Sequence, residues 1–339
     1  MKKDVEICCL GIESTAHTFG AAVIKNKKVI SNVKKAFVSQ KGGMIPYEVA
    51  DHHVSYCDEV INTALIQANV SLKEIRLISF SMSPGIGPML RIGAMCARSL
   101  SAIHNIPLIG VNHCIAHLEI GSLLTNAKDP VLLYASGANT QIIAYDQQKY
   151  RVFGETLDMG IGNFLDQIGR EFGLGFPAGA KIGELAKQWR EKNKESGYIE
   201  LPYVVKGMDV SFGGIYTKVK TLFSNKEYPV EQLCFSIEET VYAMLLEITE
   251  RALSYTEKKE LILGGGVACA NRLQEMTKAM CKERGITCHI LENQFNVDNA
   301  AMIAWLGILS YSAGNETPLN KAQIDPYVRT DDVFVNWKH

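Results

Sequence analysis

Residues 5–31 read VEICCLGIESTAHTFGAAVIKNKKVIS, and residues 131–153 read VLLYASGANTQIIAYDQQKYRVF. Each stretch holds three apolar runs, separated first by a small polar turn and then by a turn of charged or amide residues. Short apolar runs bounded in this way predict β-strands, and such short connections predict that neighbouring strands are antiparallel. The same three-stranded module is therefore predicted twice in one chain.

The same order of elements is predicted after each module: a helix, a strand, a glycine-bearing turn, a second helix and a second strand. In the first half these elements are the helix that follows Pro46, the strand 77–82, the turn 83–88, the helix 89–104 and the strand 108–111. In the second half they are 230–255, 260–263, 264–266, 271–284 and 287–291. A repeated order of this kind indicates an internal duplication and predicts two α/β lobes with a cleft between them.

The lobes are predicted to divide the chain near its first third. The N-terminal lobe is placed at 1–120 and the C-terminal lobe at 121–339. The C-terminal lobe carries an insertion at about 155–229, between its three-stranded module and its first helix. A last C-terminal segment is free to pack back on the first lobe.

The cleft is the expected place for a ligand, because open α/β sheets bind ligands beyond their strand ends, where turns expose backbone N–H groups. Three suitable turns fall at equivalent places in the two halves: 13–18, 136–140 and 264–268. One such turn alone is more often ordinary turn chemistry than a phosphate site. Three of them favour a nucleotide between the lobes, with its phosphates near the turns and its adenosine near 264–266.

Residues 112–119, which read NHCIAHLE, carry two histidines that a helix would bring to one face, because His113 and His117 lie four positions apart. Two imidazoles at this spacing supply half of a metal site, which a carboxylate or another donor from elsewhere in the fold has to complete. The simpler alternative is a solvated helix face that carries two histidines.

Composition limits the class of protein. The chain has 339 residues, of which 47% are hydrophobic, and its formal net charge of -1 excludes a polycation that binds nucleic acid with its whole surface. The nine cysteines contain no Cys-x-x-Cys motif, which is typical of reduced thiols in a cytosol. No signal peptide is recognised, and the longest apolar helix candidate, 300–311, is too short to span a bilayer. We expect a cytoplasmic protein without membrane contact.

Six motifs together resemble one known family. They read GIESTAHT at 11–18, GVNHCIAH at 110–117, LYASGANTQ at 133–141, FGETLD at 153–158, KGMDVSF at 206–212 and DNAAMIA at 298–304. On these residues the chain resembles the tRNA threonylcarbamoyladenosine transferases. The motifs are most similar to the archaeal and eukaryotic branch, the catalytic subunit of the KEOPS complex, and the resemblance extends from Leu10 to about Trp337.

The resemblance implies a duplicated actin-like, sugar-kinase-like ATPase (ASKHA) fold, with a central nucleotide and metal cleft between its two lobes. It implies an acyltransferase that moves the threonylcarbamoyl group of threonylcarbamoyl-AMP to N6 of adenosine 37 in tRNAs that read ANN codons. This step forms t6A and releases AMP. The implied partners are tRNA and the KEOPS subunits, including a protein kinase subunit and a small dimerising subunit. We place the dimerising subunit on 47–68 and 89–104.

The resemblance also implies site residues. One divalent metal, Fe²⁺ in the first place and Zn²⁺ as the alternative, is implied at His113, His117, Tyr134 and Asp298. An adenine nucleotide, threonylcarbamoyl-AMP or ATP, is implied at nine residues. Five belong to the Ser-Gly turn and the residues just before it: Tyr134, Ala135, Ser136, Gly137 and Ala138. The other four lie further along the chain: Asp166, Gly179, Gly183 and Asn271. No catalytic residue separate from the metal site is expected. Simpler roles stay open for Asp298 as a helix N-cap and for Asp166 as a surface charge.

The chain departs from the family's pattern at several nucleotide positions. Ala138 replaces a glycine of the usual Ser-Gly-Gly turn, and a ribose-binding carboxylate position falls on Gly183. The asparagine expected after the third glycine turn falls on Ala270, with Asn271 one place late. Alanine replaces glycine without strain only where φ is negative. These departures predict weaker nucleotide binding, and they leave open a non-catalytic or ATP-binding scaffold subunit of the same complex.

Two further alternatives use only part of the pattern. A metalloprotease needs a general base beside the first histidine, as in His-Glu-x-x-His, but Cys114 follows His113. A kinase or chaperone of the same fold would use the nucleotide cleft and leave the histidine pair without a role.

Overall fold

The computed structural model describes residues 7–39 and 44–338, so residues 5 and 6 of the first predicted strand lie outside the described part. The first half consists of β1 (Cys8–Glu13), β2 (Thr18–Lys25), β3 (Lys28–Ala36), α1 (Pro46–Ala68), β4 (Leu77–Ser83), α2 (Gly87–His104) and β5 (Leu108–Asn112). Its strands form one sheet in the order β3-β2-β1-β4-β5. As predicted, β1 to β3 are antiparallel, while β4 and β5 continue the sheet in parallel.

The second half repeats this arrangement after the helix α3 (His113–Thr125). It consists of β6 (Val131–Ala135), β7 (Thr140–Asp146), β8 (Lys149–Glu155), α4 (Ile161–Glu171), α5 (Gly179–Asn193), β9 (Val205–Lys206), β10 (Asp209–Val210), α6 (Gly213–Ser224), α7 (Val230–Thr256), β11 (Glu260–Gly264), α8 (Asn271–Arg284), β12 (Thr287–His289), α9 (Asn293–Asn296) and α10 (Ala300–Ser312). The main sheet has the order β12-β11-β6-β7-β8. Read from the other edge this is the order of the first sheet, so the predicted duplication is confirmed.

The segment between β8 and α7 adds three helices and a small hairpin to the second half. α5 packs along α7, and α4 packs against α5 and α6, while β9 and β10 form the two-stranded hairpin. Their apolar side chains join the core on one face of the second sheet. These helices therefore form a wall above the turns that follow β6 and β11.

The strand β3 is longer than its apolar pattern predicts, since the prediction stopped at Ser31 and the strand continues to Ala36. Residues 32–36 pair with β2 although they include Lys34 and Lys35. β3 lies at the edge of its sheet, and an edge strand with lysines exposes charge where unpaired backbone would otherwise invite aggregation. The pattern of apolar residues therefore does not predict the second part of β3.

The helix α10 packs on the sheet of the other half, whereas α3 contacts both sheets. α10 packs against β1, β2 and β4 of the first sheet, while α3 contacts β4 and β5 of the first and β6 and β11 of the second. The contact of α10 is so close that a Cβ at Gly11 would lie 2.4 Å from the carbonyl oxygen of Ala300. α3 and α10 also pack against each other. Their N-terminal ends mark the junction of the two sheets.

No helix in the described ranges is both long and apolar enough to cross a membrane.

Candidate metal centre and nucleotide cleft

Three acidic or imidazole side chains meet where α3 and α10 begin. His113 and His117 lie on the first turns of α3, whose start is fixed by Asn112, because its side-chain oxygen accepts hydrogen bonds from the N–H groups of Cys114 and Ile115. Asp298 precedes α10 by two residues. One potential ligand atom from each of His113, His117 and Asp298 lies within 4.8 Å of the other two. The structure thus brings together three of the four predicted metal ligands.

Tyr134 brings the fourth predicted donor to the same place. Its hydroxyl lies 3.0 Å from Nε2 of His113, and Oδ1 of Asp298 lies 3.4 Å from that nitrogen and 3.6 Å from Nε2 of His117. Tyr134 is buried near the end of β6. Two imidazoles, a carboxylate and a phenol form a set of donors that suits iron or zinc.

His117 shows that this set of residues fits a cation. The side chain is 1% exposed, and within residues 7–39 and 44–338 neither of its ring nitrogens has a hydrogen-bond partner. Buried polar atoms are rarely left without a partner, because each unsatisfied atom costs about 1–3 kcal/mol. A metal ion among His113, His117 and Asp298 would satisfy Nε2 of His117.

Glu13 holds the other side of His113. Its Oε2 lies 3.0 Å from Nδ1 of His113, while its Oε1 accepts a hydrogen bond of 2.7 Å from the N–H of Thr15. A carboxylate on Nδ1 fixes the tautomer and orientation of the ring, which leaves Nε2 available for a metal. Glu13 is not among the predicted site residues. The available signal was a carboxylate that ends the buried strand β1.

The charges of the site are mutually dependent. Burial lowers the pKa of His113, but Tyr134, Glu13 and Asp298 outweigh burial and raise that pKa well above its ordinary value. Burial raises the pKa of Asp298, but interactions with His113 and His117 hold it well below its ordinary value. Burial also lowers the pKa of His117. The buried carboxylate of Glu13 and the half-buried carboxylate of Asp298 place negative charge beside the two imidazoles, which suits a cation.

Asp298 is not the N-cap of the helix that follows. That position belongs to Asn299, whose Oδ1 accepts a hydrogen bond of 3.1 Å from the N–H of Met302. The simpler role left open for Asp298 is therefore wrong, because a neighbouring side chain fills it. Capping by Asn299 leaves the carboxylate of Asp298 free to turn toward the histidines.

The Ser-Gly turn after β6 forms one wall of the cleft. Two of its carbonyl groups accept backbone hydrogen bonds of 2.9 Å: the N–H of Gly162 donates to the oxygen of Ser136, and the N–H of Asn163 donates to that of Gly137. A Cβ at Gly137 would have its nearest neighbour 3.8 Å away, so this face of the turn is open. Ala135 is buried below the turn, while Ala138 is exposed on it. Fixed backbone beside open space is suited to phosphate oxygens.

The third glycine turn, after β11, faces open space as well. Gly265 has a φ of 93°, a conformation that favours glycine, and a Cβ at Gly266 would meet nothing within 4 Å. Asn271 begins α8 a few residues later and is exposed. The turn therefore leaves room for a flat group.

The remaining predicted nucleotide residues lie along α4 and α5. Oδ1 of Asp166 accepts a hydrogen bond of 2.8 Å from the N–H of Ala178, just before α5. Asp166 is half-buried on α4, and this hydrogen bond ties it to the start of α5. Gly179 is the first residue of α5, and Gly183 follows one turn later.

The fold is shared with solved proteins of distant sequence. HypF from Thermococcus kodakarensis aligns with a TM-score of 0.62 at 12% identity, over 91% of this chain and 48% of HypF. Component A of (R)-2-hydroxyglutaryl-CoA dehydratase from Acidaminococcus fermentans aligns with a TM-score of 0.54 at 13% identity, over 90% and 99% of the two chains. At such identities the likeness shows the fold alone. Fold and site define a protein of the duplicated actin-like ATPase fold, as predicted.

Sequence comparison then gives the family. Residues 27–305 match the family described as tRNA N6-adenosine threonylcarbamoyltransferase. Proteins of that name from Thermococcus sibiricus and Thermococcus kodakarensis are 45% and 46% identical over 328 residues, which are 97% of this chain and 99% of each relative. This chain belongs to the tRNA N6-adenosine threonylcarbamoyltransferase family, and the predicted resemblance is confirmed.

Some relatives are longer. A probable bifunctional tRNA threonylcarbamoyladenosine biosynthesis protein from Methanosarcina mazei is 46% identical over 331 residues, which are 97% of this chain and 59% of that protein.

Proposed function

We propose that this chain transfers the threonylcarbamoyl group of threonylcarbamoyl-AMP to N6 of adenosine 37 in tRNA, which forms t6A and releases AMP. The observation that carries the proposal is the meeting of His113, His117, Asp298 and Tyr134 beside the open Ser-Gly turn, in a chain of this transferase family. The prediction of an acyltransferase agrees with the named relatives.

The donor is a mixed anhydride, so its carbonyl carbon is already activated toward an amine. The residues of this chain then have to position the donor and the adenosine and to stabilise the departing phosphate. The N–H groups of Gly137 and Ala138 are the ones placed to bind phosphate oxygens, because the N–H of Ser136 donates to the carbonyl oxygen of Asn139 within the turn. A metal held by His113, His117, Tyr134 and Asp298 would supply Lewis acidity and a template for the donor. No covalent intermediate on the protein is required.

We assign the metal as Fe²⁺, with Zn²⁺ as the alternative. A site with two imidazoles, one carboxylate and one phenol is harder than the thiolate sites typical of structural zinc. Cys114 is the residue next to His113, but it is buried and burial raises the pKa of its thiol. A neutral thiol is a poor ligand, which supports the oxygen and nitrogen set.

We further propose that the chain works in the cytoplasm with tRNA, a protein kinase subunit and a small dimerising subunit of a KEOPS complex. Support for the small dimerising subunit comes from α1 and α2, which pack side by side and carry large exposed apolar side chains. These are Val54 (62% exposed), Ile66 (77%), Met95 (57%) and Ile103 (74%). Apolar residues gathered on neighbouring helices are typical of a partner surface.

The test is t6A formation by the purified chain with its partner subunits, tRNA and threonylcarbamoyl-AMP. We compare the wild type with His117→Ala and with the control Glu283→Ala, which changes an exposed residue of α8. We expect His117→Ala to lose bound metal and at least about 100-fold in rate, since it removes a ligand rather than a ligand's support. We expect the control to keep both. If the complete, metal-loaded wild-type complex leaves adenosine 37 unmodified, the chain is a scaffold.

A further inference from the structure

A buried carboxylate lies close to the position where the chain lacks one. Glu238, on α7, is 3% exposed, and its Oε2 accepts a hydrogen bond of 3.1 Å from Nη2 of Arg190 on α5. Its other oxygen points to Gly183, because a Cβ at Gly183 would lie 3.3 Å from Oε1 of Glu238. A carboxylate from α7, that of Glu238, therefore lies next to Gly183 of α5.

The start of α5 offers an open face beside this oxygen. Gly179 and Gly183 lie four residues apart, so both are on one side of the helix. Apart from Oε1 of Glu238, no described atom outside the neighbouring residues and the backbone of α5 lies within 4 Å of a Cβ at Gly183. At Gly179 the nearest such atom is a methyl carbon of Leu165, 3.8 Å away. A ligand hydroxyl could approach Oε1 over this face, at the 2.5–3.0 Å typical of such bonds.

We propose that the carboxylate of Glu238 accepts hydrogen bonds from the ribose hydroxyls of the adenine nucleotide, in place of a carboxylate side chain at position 183. This inference rests on the proposed function, since it assigns a specificity-determining residue to the same nucleotide cleft. It also gives a reason for glycine at 183. A carboxylate side chain there would lie against Glu238, and two like charges in contact repel each other.

The surrounding ion pairs do not by themselves explain Glu238. Arg190 has a second carboxylate partner, because its Nη2 donates to Oε1 of Glu239 at 3.0 Å. Glu239 in turn accepts two hydrogen bonds of 2.7 Å from Arg272 on α8. The α5, α7 and α8 helices would therefore remain connected through Glu239 without Glu238.

Burying the carboxylate of Glu238 also costs free energy. Burial raises the pKa of Glu238 to about 7, although the charge and hydrogen bond of Arg190 and a hydrogen bond with Tyr242 oppose this shift. A buried ionisable pair is often no more stable than apolar residues of the same volume. A carboxylate that is retained under these conditions, with one oxygen toward an open face, is suited to binding a ligand.

The experiment measures nucleotide affinity by calorimetry on the full chain, with ATP and with 2′,3′-dideoxy-ATP as probes. In the wild type we expect ATP to bind at least about tenfold more tightly than the dideoxy analogue, because hydrogen bonds to a charged group are lost with the hydroxyls. In Glu238→Gln we expect this ratio to fall below about threefold, through weaker binding of ATP. The matched control Glu239→Gln removes a neighbouring carboxylate and should keep the wild-type ratio.

A second variant separates recognition from folding. In Gly183→Glu combined with Glu238→Gln, the carboxylate returns from α5, and we expect the preference for ATP over the analogue to return with it. If the wild type discriminates and Glu238→Gln discriminates equally well, the inference is overturned while the proposed function stands. If the wild type binds ATP and the analogue equally, Glu238 has no ribose role. If it binds neither, the nucleotide site fails as well.

Discussion

Oε2 of Glu13 lies 3.0 Å from Nδ1 of His113, and the two residues are 100 positions apart in the chain. The contact joins the end of β1 to the start of α3, so the orientation of a candidate metal ligand depends on the first strand of the sheet. Glu13 is fully buried. It is therefore a positioning residue that acts through His113.

The first prediction concerns this contact. Glu13→Gln should lower the metal affinity of the chain about 10–100-fold, since a neutral amide no longer raises the basicity of the His113 imidazole as the carboxylate does. The measurement is competition with a chelator, followed by metal analysis of the protein. Glu59→Gln, which changes an exposed glutamate of α1, should leave the affinity unchanged. Equal metal retention by both variants would show that Glu13 has no positioning role.

The second prediction concerns the close approach of α10 to β1. Gly11→Ala should lower the free energy of unfolding by about 1–3 kcal/mol, because its Cβ would lie 2.4 Å from a backbone oxygen of α10. Gly20→Ala is the matched control on the neighbouring strand, where the nearest atoms would be 3.5 Å away. Denaturant unfolding of both variants makes the comparison. A Gly11→Ala protein as stable as Gly20→Ala would contradict the packing described for α10.

The third prediction concerns acid. Burial, together with the nearby His52 and His17, lowers the pKa of His53 to about 4, although a hydrogen bond with the backbone of Ala16 opposes the shift. Between pH 6.5 and 4 His53 binds a proton in the unfolded chain but not in the folded chain. Its contribution to the free energy of unfolding is therefore complete above pH 6.5 and is lost as the pH falls toward 4.

We expect His53→Leu to remove up to about 3 kcal/mol of the loss of stability between pH 6.5 and 4. The free energy of unfolding is measured at several pH values for the wild type, His53→Leu and the control His104→Leu, which changes an exposed histidine. If the three proteins show parallel pH profiles, His53 is not the group responsible.

The fourth prediction concerns the apolar side chains of α1 and α2. Val54→Glu or Met95→Glu should weaken binding of the small dimerising subunit at least about tenfold, because a charge would be buried in the contact. Tyr255→Glu changes a residue on α7 that is 70% exposed and should bind like the wild type. Affinity is measured between the purified proteins. Unchanged affinity in both variants would show that the dimerising subunit binds another surface of the chain.

Periodicity predicted the elements well where a helix has a distinct apolar face. α8 begins and ends at the predicted residues, and the start of α1 at Pro46 follows from proline at the first helical turn. β3 was predicted too short, because its second part is polar and is held only by pairing with β2. Local pattern carries no information on such pairing.

The site divides in the same way. The spacing of His113 and His117 is local, so the sequence alone could suggest them, whereas Asp298 lies 181 positions beyond His117 and was found only through the family resemblance. Glu13 and Glu238 were missed. Each acts across a contact between distant elements, and no spacing rule connects β1 with α3 or α5 with α7. Only the folded chain shows which carboxylates reach the cleft.

The contacts of α3 with both sheets and of α10 with the first sheet bear on how the chain could be divided. A cut within 126–129 would leave His113 and His117 on one fragment and Tyr134 and Asp298 on the other. It would also separate the first sheet from α10 and the second sheet from α3, since α10 stays with the second fragment and α3 with the first. Neither fragment would hold more than two of the four donors. Complementation of the two fragments would therefore restore a hydrophobic core and an ion-binding site in the same event.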